Sequence, residues 1–213
     1  MIMGKREDAW REKLQIMTSY ERPHWERGEL VAGIDEAGRG PLAGPVVAAC
    51  VIMPPNDLIL GIDDSKKVSE KRREELYDII LKKAVDCSVS IVDNHVIDEI
   101  NILNAARRAF ENALCGLKTH PQHVYTDAMD IRTDIPCTPL IKGDARLYTI
   151  ASASIVAKVT RDRIMREYDG QYPEYLFAKH KGYGTKAHYD AIRTYGILDI
   201  HRKTFLRKLL QND

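Results

Sequence analysis

The sequence has few of the features that mark secreted proteins, membrane proteins or proteins stabilised by structural metal sites. The four cysteines among 213 residues are far apart and form no C-x-x-C pair, which argues against a zinc knuckle or a disulfide framework. No stretch approaches the roughly 18 consecutive apolar residues of a membrane span. The first residues are charged and lack the apolar region and cleavage site of a signal peptide. We therefore expect a cytoplasmic protein with reduced thiols and no membrane partner.

Several catalytic signatures are also missing. The sequence has no Gly-Lys-Ser/Thr of a phosphate-binding loop, no Gly-x-Ser-x-Gly elbow and no His-Glu-x-x-His. The glycines at positions 38, 40 and 44 do not match the dinucleotide fingerprint, because the third comes one residue too late and a strand follows. These absences argue against a nucleotide cofactor, a serine hydrolase and a zinc peptidase. The seven histidines are better assigned to surface or core positions.

The charge is balanced overall but uneven along the chain. The formal net charge is +1, yet residues 142–213 hold 14 basic and 8 acidic residues, and the rest holds 18 and 23. An acidic cluster that faces a basic, aromatic-bearing region suits a metal-dependent enzyme acting on nucleic acid. On charge alone, chance unevenness on a solvated surface is an equal alternative.

Hydrophobic periodicity predicts an α/β fold with a mixed five-stranded sheet flanked by helices. Residues 1–29 form an N-terminal helical prelude, and residues 30–213 form one domain whose region from about 186 onward is helical. Ser69 is the expected N-cap of the first helix after the hairpin. The expected strands are 30–36, 46–53, 87–92, 123–126 and 139–142. The expected helices are 5–20, the one after Ser69, 101–117, 148–168 and the tail from 186.

Carboxylates follow three of the predicted strands. Asp35 and Glu36 come directly after one apolar run, Asp127 follows another, and Asp144 follows a third. A lone acid at a strand end is usually a turn residue or a helix cap, but three such junctions in one sheet favour convergence. Converging carboxylates raise one another's pKa unless a cation compensates them, and Mg²⁺ or Mn²⁺ suits oxygen ligands. Adjacent strand residues point to opposite faces, so Asp35 and Glu36 share a site only if the strand twists or ends there, which Gly38 permits.

Three further features fit nucleic-acid binding. The glycine-rich loop Gly38-Arg39-Gly40 lets backbone N–H groups approach a phosphate that the guanidinium also suits, although a plain tight connection is the alternative. Lys66 lies in a loop before a helix. It is expected to contact a phosphate, to belong simply to the loop that precedes the helix, or to do both. Tyr183 lies between two glycines in a basic run and can stack on a sugar or a base. The alternative is an ordinary loop tyrosine, because glycine-flanked tyrosines are common in loops.

The long helix carries Lys158, Arg161 and Arg166 away from its apolar stripe. Such a face is more often solvated than bound to nucleic acid. The spacing from Asp162 to Arg166 allows an ion pair within the helix.

The block at residues 33–47 (GIDEAGRGPLAGPVV) resembles the signature of ribonuclease HII, the bacterial type 2 ribonuclease H family. The resemblance continues in family order through five shorter blocks. They are 64–67 (DSKK), 127–129 (DAM), 142–144 (KGD), 154–162 (SIVAKVTRD) and 182–185 (GYGT). Together the blocks cover nearly everything from residue 30 onward.

The resemblance implies a ribonuclease H-like fold with a helical C-terminal extension. It implies cleavage of RNA in RNA–DNA hybrids and incision 5′ of single ribonucleotides in duplex DNA, with a role in ribonucleotide removal during replication and repair. The implied enzyme is a monomer that uses two Mn²⁺ or Mg²⁺ ions about 4 Å apart and leaves 5′-phosphate and 3′-hydroxyl ends. The residues carried over are the catalytic, metal-binding carboxylates Asp35, Glu36, Asp127 and Asp144, and the substrate-binding Gly38, Arg39, Gly40, Lys66 and Tyr183.

Two other functions compete with this reading. A DNA-directed nuclease or recombinase has a similar carboxylate sheet, and a comparison of hybrid with all-DNA duplex separates it, since only the ribonuclease requires a 2′-hydroxyl. A non-catalytic nucleic-acid-binding module has no need for acids at three strand ends, and its binding does not depend on Mg²⁺.

Overall fold

The computed structural model describes residues 2–207 of the chain, with side chains from residue 7 onward. Nine α-helices and five β-strands form this described part. The helices are α1 (Ile2–Met17), α2 (Arg22–Glu26), α3 (Glu70–Lys83), α4 (Asn94–Ile100), α5 (Ile102–Cys115), α6 (Gly143–Arg146), α7 (Tyr148–Gln171), α8 (Phe177–His180) and α9 (Lys186–Tyr195). The strands are β1 (Val31–Ala37), β2 (Val46–Ile52), β3 (Asp86–Val92), β4 (His123–Asp127) and β5 (Cys137–Leu140). Short 3-10 helices occur at Pro173–Tyr175 and Lys203–Leu206.

The five strands form one mixed sheet in the order β3-β2-β1-β4-β5. The first three strands run antiparallel to their neighbours, and β4 and β5 join β1 in parallel. All seven residues of β2 are buried, as expected for an apolar central strand covered on both faces. Helices α7 and α3 cover one face of the sheet, and α5 covers the other. The predicted α/β class and the helical C-terminal region are confirmed.

A glycine sets how closely the long helix α7 approaches the sheet. A Cβ atom at Gly33 of β1 would lie 2.3 Å from the main-chain carbon of Thr149 in α7. No real Cβ tolerates that distance, so only glycine allows this packing. The small residues Ala151 and Ala153 of α7 are fully buried in the same region. Helix α7 therefore packs closely on β1 through its first turns.

The observed element boundaries differ from the predicted ones in two informative places. The N-terminal helix, expected over 5–20, ends at Met17, and the short helix α2 follows with Pro23 in its first turn, where proline is tolerated. Strand β5 ends at Leu140 rather than at position 142, because its parallel partner β4 ends at Asp127, which is opposite Leu140. Asp144 therefore does not follow the strand directly but lies in the first turn of α6.

The C-terminal region is helical only in part. Helix α9 begins at Thr185, whose hydroxyl accepts a hydrogen bond from the His188 N–H, and the chain then runs without regular structure to a 3-10 turn. The remaining predicted helical segment, residues 208–213, lies outside the described residues. Within residues 2–207, no helix is long and apolar enough to cross a membrane.

Candidate active site

Three of the four predicted carboxylates converge at one end of the sheet. One oxygen from each of Asp35, Asp127 and Asp144 lies within 4.8 Å of the others. The strand register explains the first two, because Ile34 of β1 pairs in parallel with Thr126 of β4 and each is followed by an aspartate. The third comes from α6, whose first N–H, that of Gly143, donates to Asp127 Oδ1 at 2.7 Å. Asp127 thus orients the turn that carries Asp144.

Glu36 lies beside this group rather than within it. Strand β1 continues through Ala37, one residue beyond its predicted end at Glu36, so neighbouring side chains still point to opposite faces of the sheet. The Glu36 Oε1 atom is 3.4 Å from an Nη1 of Arg39, and its Oε2 atom is buried with no hydrogen-bond partner. A buried carboxylate oxygen without a donor is costly, and a cation at this position would satisfy it.

The acidic groups are unfavourable to one another in the absence of a cation. Burial raises the pKa of Asp35 well above its usual value, and the charges of Glu36 and Asp127 raise it further. Burial also raises the pKa of Glu36, against the opposing influence of Arg39. For Asp144, burial and the charge of Asp127 raise the pKa. An all-oxygen donor set with raised pKa values and an unsatisfied oxygen fits hard divalent ions such as Mg²⁺ or Mn²⁺.

Lys66 reaches the edge of the acidic group from the loop before α3. Its Nζ atom is 3.5 Å from Asp144 Oδ2, while 79% of the side chain is exposed. Its backbone N–H donates to Asp64 Oδ1 at 2.9 Å, which fixes the turn. The ammonium group is therefore accessible to an anionic ligand that approaches the carboxylates.

The predicted binding residues share one groove with Glu36. Glu36, the loop Gly38–Gly40, Lys66 and Tyr183 all line it. Tyr183 is 47% exposed, and a Cβ atom at Gly40 would lie 3.5 Å from its ring, so the tyrosine faces the loop across the groove. The groove thus brings together Gly38 and Tyr183, which are 145 positions apart in the chain.

The expectation of a solvated charged face on α7 is wrong. Arg161 is 1% exposed and donates hydrogen bonds to the carbonyls of Pro45, Ala43 and Lys181. A signal was available, because Arg161 continues the buried four-residue spacing of the alanines at 153 and 157.

The predicted ion pair of α7 is replaced by two others. Asp162 is buried and accepts a hydrogen bond from Lys158 Nζ at 2.6 Å. Arg166 instead bonds Glu70 and Glu74 of α3, so it ties the two helices together.

Two more buried ionic residues escaped the sequence reasoning. Arg202, fully buried, bonds four main-chain carbonyls of the glycine-rich loop region. Glu21, also fully buried, bonds the first turn of α7. Both contacts join distant parts of the chain, which a local pattern does not reveal.

The comparisons with known proteins agree on one family. A family model described as Ribonuclease HII matches residues 32–209. The ribonuclease HII of Clostridioides difficile strain 630 is 51% identical over 201 residues, which cover 93% of this chain and 79% of that protein. The crystal structure of ribonuclease H2 from Pyrococcus horikoshii OT3 aligns with a TM-score of 0.75 at 28% identity, covering 86% of this chain and 98% of that one.

A more distant structure supports the fold alone. Bst-RNase HIII, solved in complex with Mn²⁺, aligns with a TM-score of 0.58 at 18% identity, covering 79% of this chain and 63% of that one.

Proposed function

The chain belongs to the ribonuclease HII family, and we propose that it incises duplex DNA on the 5′ side of single embedded ribonucleotides. It is a type 2 ribonuclease H, a hydrolase that acts on the RNA of RNA–DNA hybrids. The proposal adds the single-ribonucleotide substrate and products with 5′-phosphate and 3′-hydroxyl ends. The observation that carries it is the groove that holds Glu36, the glycine-rich loop, Lys66 and Tyr183 together, with Lys66 also reaching Asp144 of the aspartate cluster. Because one chain supplies every part of that groove, the proposed acting species is a monomer.

The four carboxylates are the proposed metal ligands. Asp35, Asp127 and Asp144 supply the converging oxygens, and the unpartnered Oε2 of Glu36 supplies another. Two Mg²⁺ or Mn²⁺ ions bound there would activate a water and stabilise the leaving 3′-oxygen. The protein's own contribution is to hold the carboxylates in place through the β1–β4 register and the bond from Gly143 to Asp127.

The glycine-rich loop is the proposed reader of the ribose. No residue of the described part of the chain accepts a hydrogen bond from the N–H of Arg39 or Gly40. Free N–H groups in a groove can bind a 2′-hydroxyl or a phosphate oxygen, and the exposed guanidinium of Arg39 adds a positive charge. DNA lacks the 2′-hydroxyl, so this contact discriminates between the two sugars.

Cleavage of matched duplexes tests the proposal. An end-labelled DNA duplex with one ribonucleotide, its all-DNA twin and a continuous RNA–DNA hybrid are incubated with Mg²⁺, with Mn²⁺ and with EDTA. We expect one metal-dependent cut on the 5′ side of the ribonucleotide and none in the twin. Cleavage of the twin would favour a DNA-directed nuclease, and cleavage of continuous hybrid alone would limit the enzyme to hybrids.

Tyr183 is the proposed stacking platform for the sugar that follows the cleaved linkage, because its ring faces Gly40 across the groove. We expect Y183A to lower kcat/KM on the single-ribonucleotide duplex about tenfold, since one stacking contact contributes about 1–3 kcal/mol. The loss of kcat/KM on a continuous RNA–DNA hybrid should be smaller, because the enzyme can bind such a hybrid at many successive ribonucleotides. Y195A is the matched control, as Tyr195 is exposed but lies outside the groove. Equal losses on both substrates would contradict the junction role.

A further inference from the structure

A buried arginine lies directly beneath the glycine-rich loop. The guanidinium of Arg202 donates to the carbonyls of Gly38 at 2.6 Å, Arg39 at 2.9 Å, Gly44 at 3.0 Å and Pro45 at 3.1 Å. These four carbonyls belong to the two ends of one loop between β1 and β2. Arg202 therefore fastens both ends of the loop.

The charge of Arg202 is not neutralised by an ion pair. Among the described residues, Asp98 is the acidic group whose charge acts on it most, but that carboxylate accepts hydrogen bonds from the N–H groups of Lys203 and Thr204. Arg161 lies close enough to repel it. Burying such a charge is costly, and main-chain carbonyls are its compensation. A fold that needed only packing at this position would be served by an apolar side chain.

The direction of the carbonyls determines the direction of the loop's donors. A trans peptide is planar, with its C=O and N–H pointing opposite ways. The carbonyls of Gly38 and Arg39 point down to Arg202, so the N–H groups of Arg39 and Gly40 point away from it. Neither of these N–H groups has an acceptor within the described part of the chain.

The segment that carries Arg202 is itself fixed to the loop. The Arg202 N–H donates to the Leu42 carbonyl at 2.8 Å, and the Gly44 N–H donates to the Ile200 carbonyl at 2.8 Å. Between these bonds, Ala43 and His201 form an antiparallel bridge. The guanidinium thus acts from a rigid support.

We propose that Arg202 is a positioning residue for ribose recognition, which turns the carbonyls of Gly38 and Arg39 inward and so presents the N–H groups of Arg39 and Gly40 to the substrate. The proposal rests on the proposed function of the loop. It assigns a specificity role to a side chain that never touches the nucleic acid.

A double-mutant cycle with R202K and G40A tests this role. R202K keeps the positive charge but loses the fork that holds several carbonyls at once. The added methyl of G40A fits the free protein, as its nearest neighbour is 3.5 Å away, but it enters the space where the sugar approaches. Each variant should lower kcat/KM on the single-ribonucleotide duplex by about tenfold to a hundredfold, the effect of a displacement of roughly 1 Å.

The coupling between the two changes decides the result. If Arg202 acts through the loop, the double variant should lose much less than the product of the single losses, because the loop has already moved. Multiplicative losses, or an R202K enzyme as active as wild type, would overturn the proposal. Y175F is the control for general damage, since it removes a hydrogen bond to the Gly196 carbonyl in the same region and leaves the hydrogen bonds of the loop in place. A wild-type enzyme that ignores the single ribonucleotide would instead refute the proposed function.

A measurement on the wild-type chain covers the case in which R202K does not fold. The Nε–H groups of Arg161 and Arg202 are both buried and hydrogen-bonded to loop carbonyls. In protein labelled with ¹⁵N-arginine, we expect two slowly exchanging Nε–H signals before substrate is added, both retained when the ribonucleotide duplex binds. Exchange of the Arg202 signal as fast as that of exposed arginines would show that no preformed clamp exists and overturn the proposal.

Discussion

Two buried charged clusters lie on either side of the glycine-rich loop, and they are satisfied in opposite ways. The positive cluster, Arg161 and Arg202, donates to main-chain carbonyls that the protein itself supplies. The negative cluster around Asp35 has raised pKa values and an unpartnered oxygen on Glu36. The protein itself supplies the acceptors that the positive cluster needs, whereas the counter-charge of the negative cluster is the proposed cation. This difference separates a structural clamp from a site for exchangeable ions.

A third buried charge, Glu21, resembles Glu36 in having an Oε2 atom without a hydrogen-bond partner, but among the described residues it belongs to no group of three converging acidic, histidine or cysteine side chains. Glu21 is fully buried, and its Oε1 accepts hydrogen bonds from the N–H and the hydroxyl of Thr149 at 2.8 Å each. The residue that precedes α7, Leu147, offers no side-chain cap. Glu21 therefore caps the start of α7 from the N-terminal prelude.

The largest effect expected from this comparison is that of D35N. The substitution removes one charge from the negative cluster and weakens metal binding, so we expect turnover to fall at least about a thousandfold. The free energy of unfolding in EDTA should not fall, because a repulsive charge is lost while the side-chain oxygen can still accept from the Glu36 N–H. The measurements are cleavage of the single-ribonucleotide duplex and urea unfolding.

The control for D35N is D199N, which changes a highly exposed aspartate far along the chain. It should leave both measurements near wild type. Normal cleavage by D35N would show that the carboxylate cluster is not the metal site.

Metal should stabilise the negative cluster and leave the positive cluster unaffected. At a free Mg²⁺ or Mn²⁺ concentration of 100 times Kd, the free energy of unfolding should rise by about 2.7 kcal/mol. For a chain of this size that corresponds to roughly 5–10 °C in Tm. The gain should disappear in the double variant D127N/D144N and persist in Y175F. A gain of equal size in the double variant would mean that the ions bind elsewhere.

The comparison also shows which parts of the site a sequence can reveal. Asp35, Asp127 and the glycine-rich loop follow apolar strands, and strand ends in one sheet meet, so local pattern was enough to predict their convergence. Asp144 was placed correctly in the cluster but on the wrong element, because the end of β5 depends on the length of its partner β4.

The residues that sequence reasoning missed depend on contacts between distant segments. Arg202 is 164 positions from Gly38, and Glu21 is 128 positions from Thr149. A buried charge looks like any surface charge in a local window, since its burial is decided by the element that covers it. Arg161 is intermediate, because it was predicted to lie away from the apolar stripe of α7 although its four-residue spacing from Ala153 and Ala157 puts it on the buried side.

The smallest effect expected is the pH dependence that Glu21 imposes on stability. Burial raises the pKa of Glu21 to about 7, while in the unfolded chain it stays near 4.5. Between these values the folded protein binds the proton more tightly, so stability falls as pH rises through the window. E21Q keeps an acceptor for Thr149 without the charge, so its stability relative to wild type should rise between pH 5 and pH 8 by on the order of 2 kcal/mol. Urea unfolding in EDTA measures this, with the exposed-site variant E26Q expected to follow wild type. If the difference in free energy of unfolding between E21Q and wild type stayed constant across that range, the pKa of Glu21 would be ordinary and the residue would act only as a polar cap. The acidic cluster would then be the clearer case of a buried carboxylate without a counter-charge.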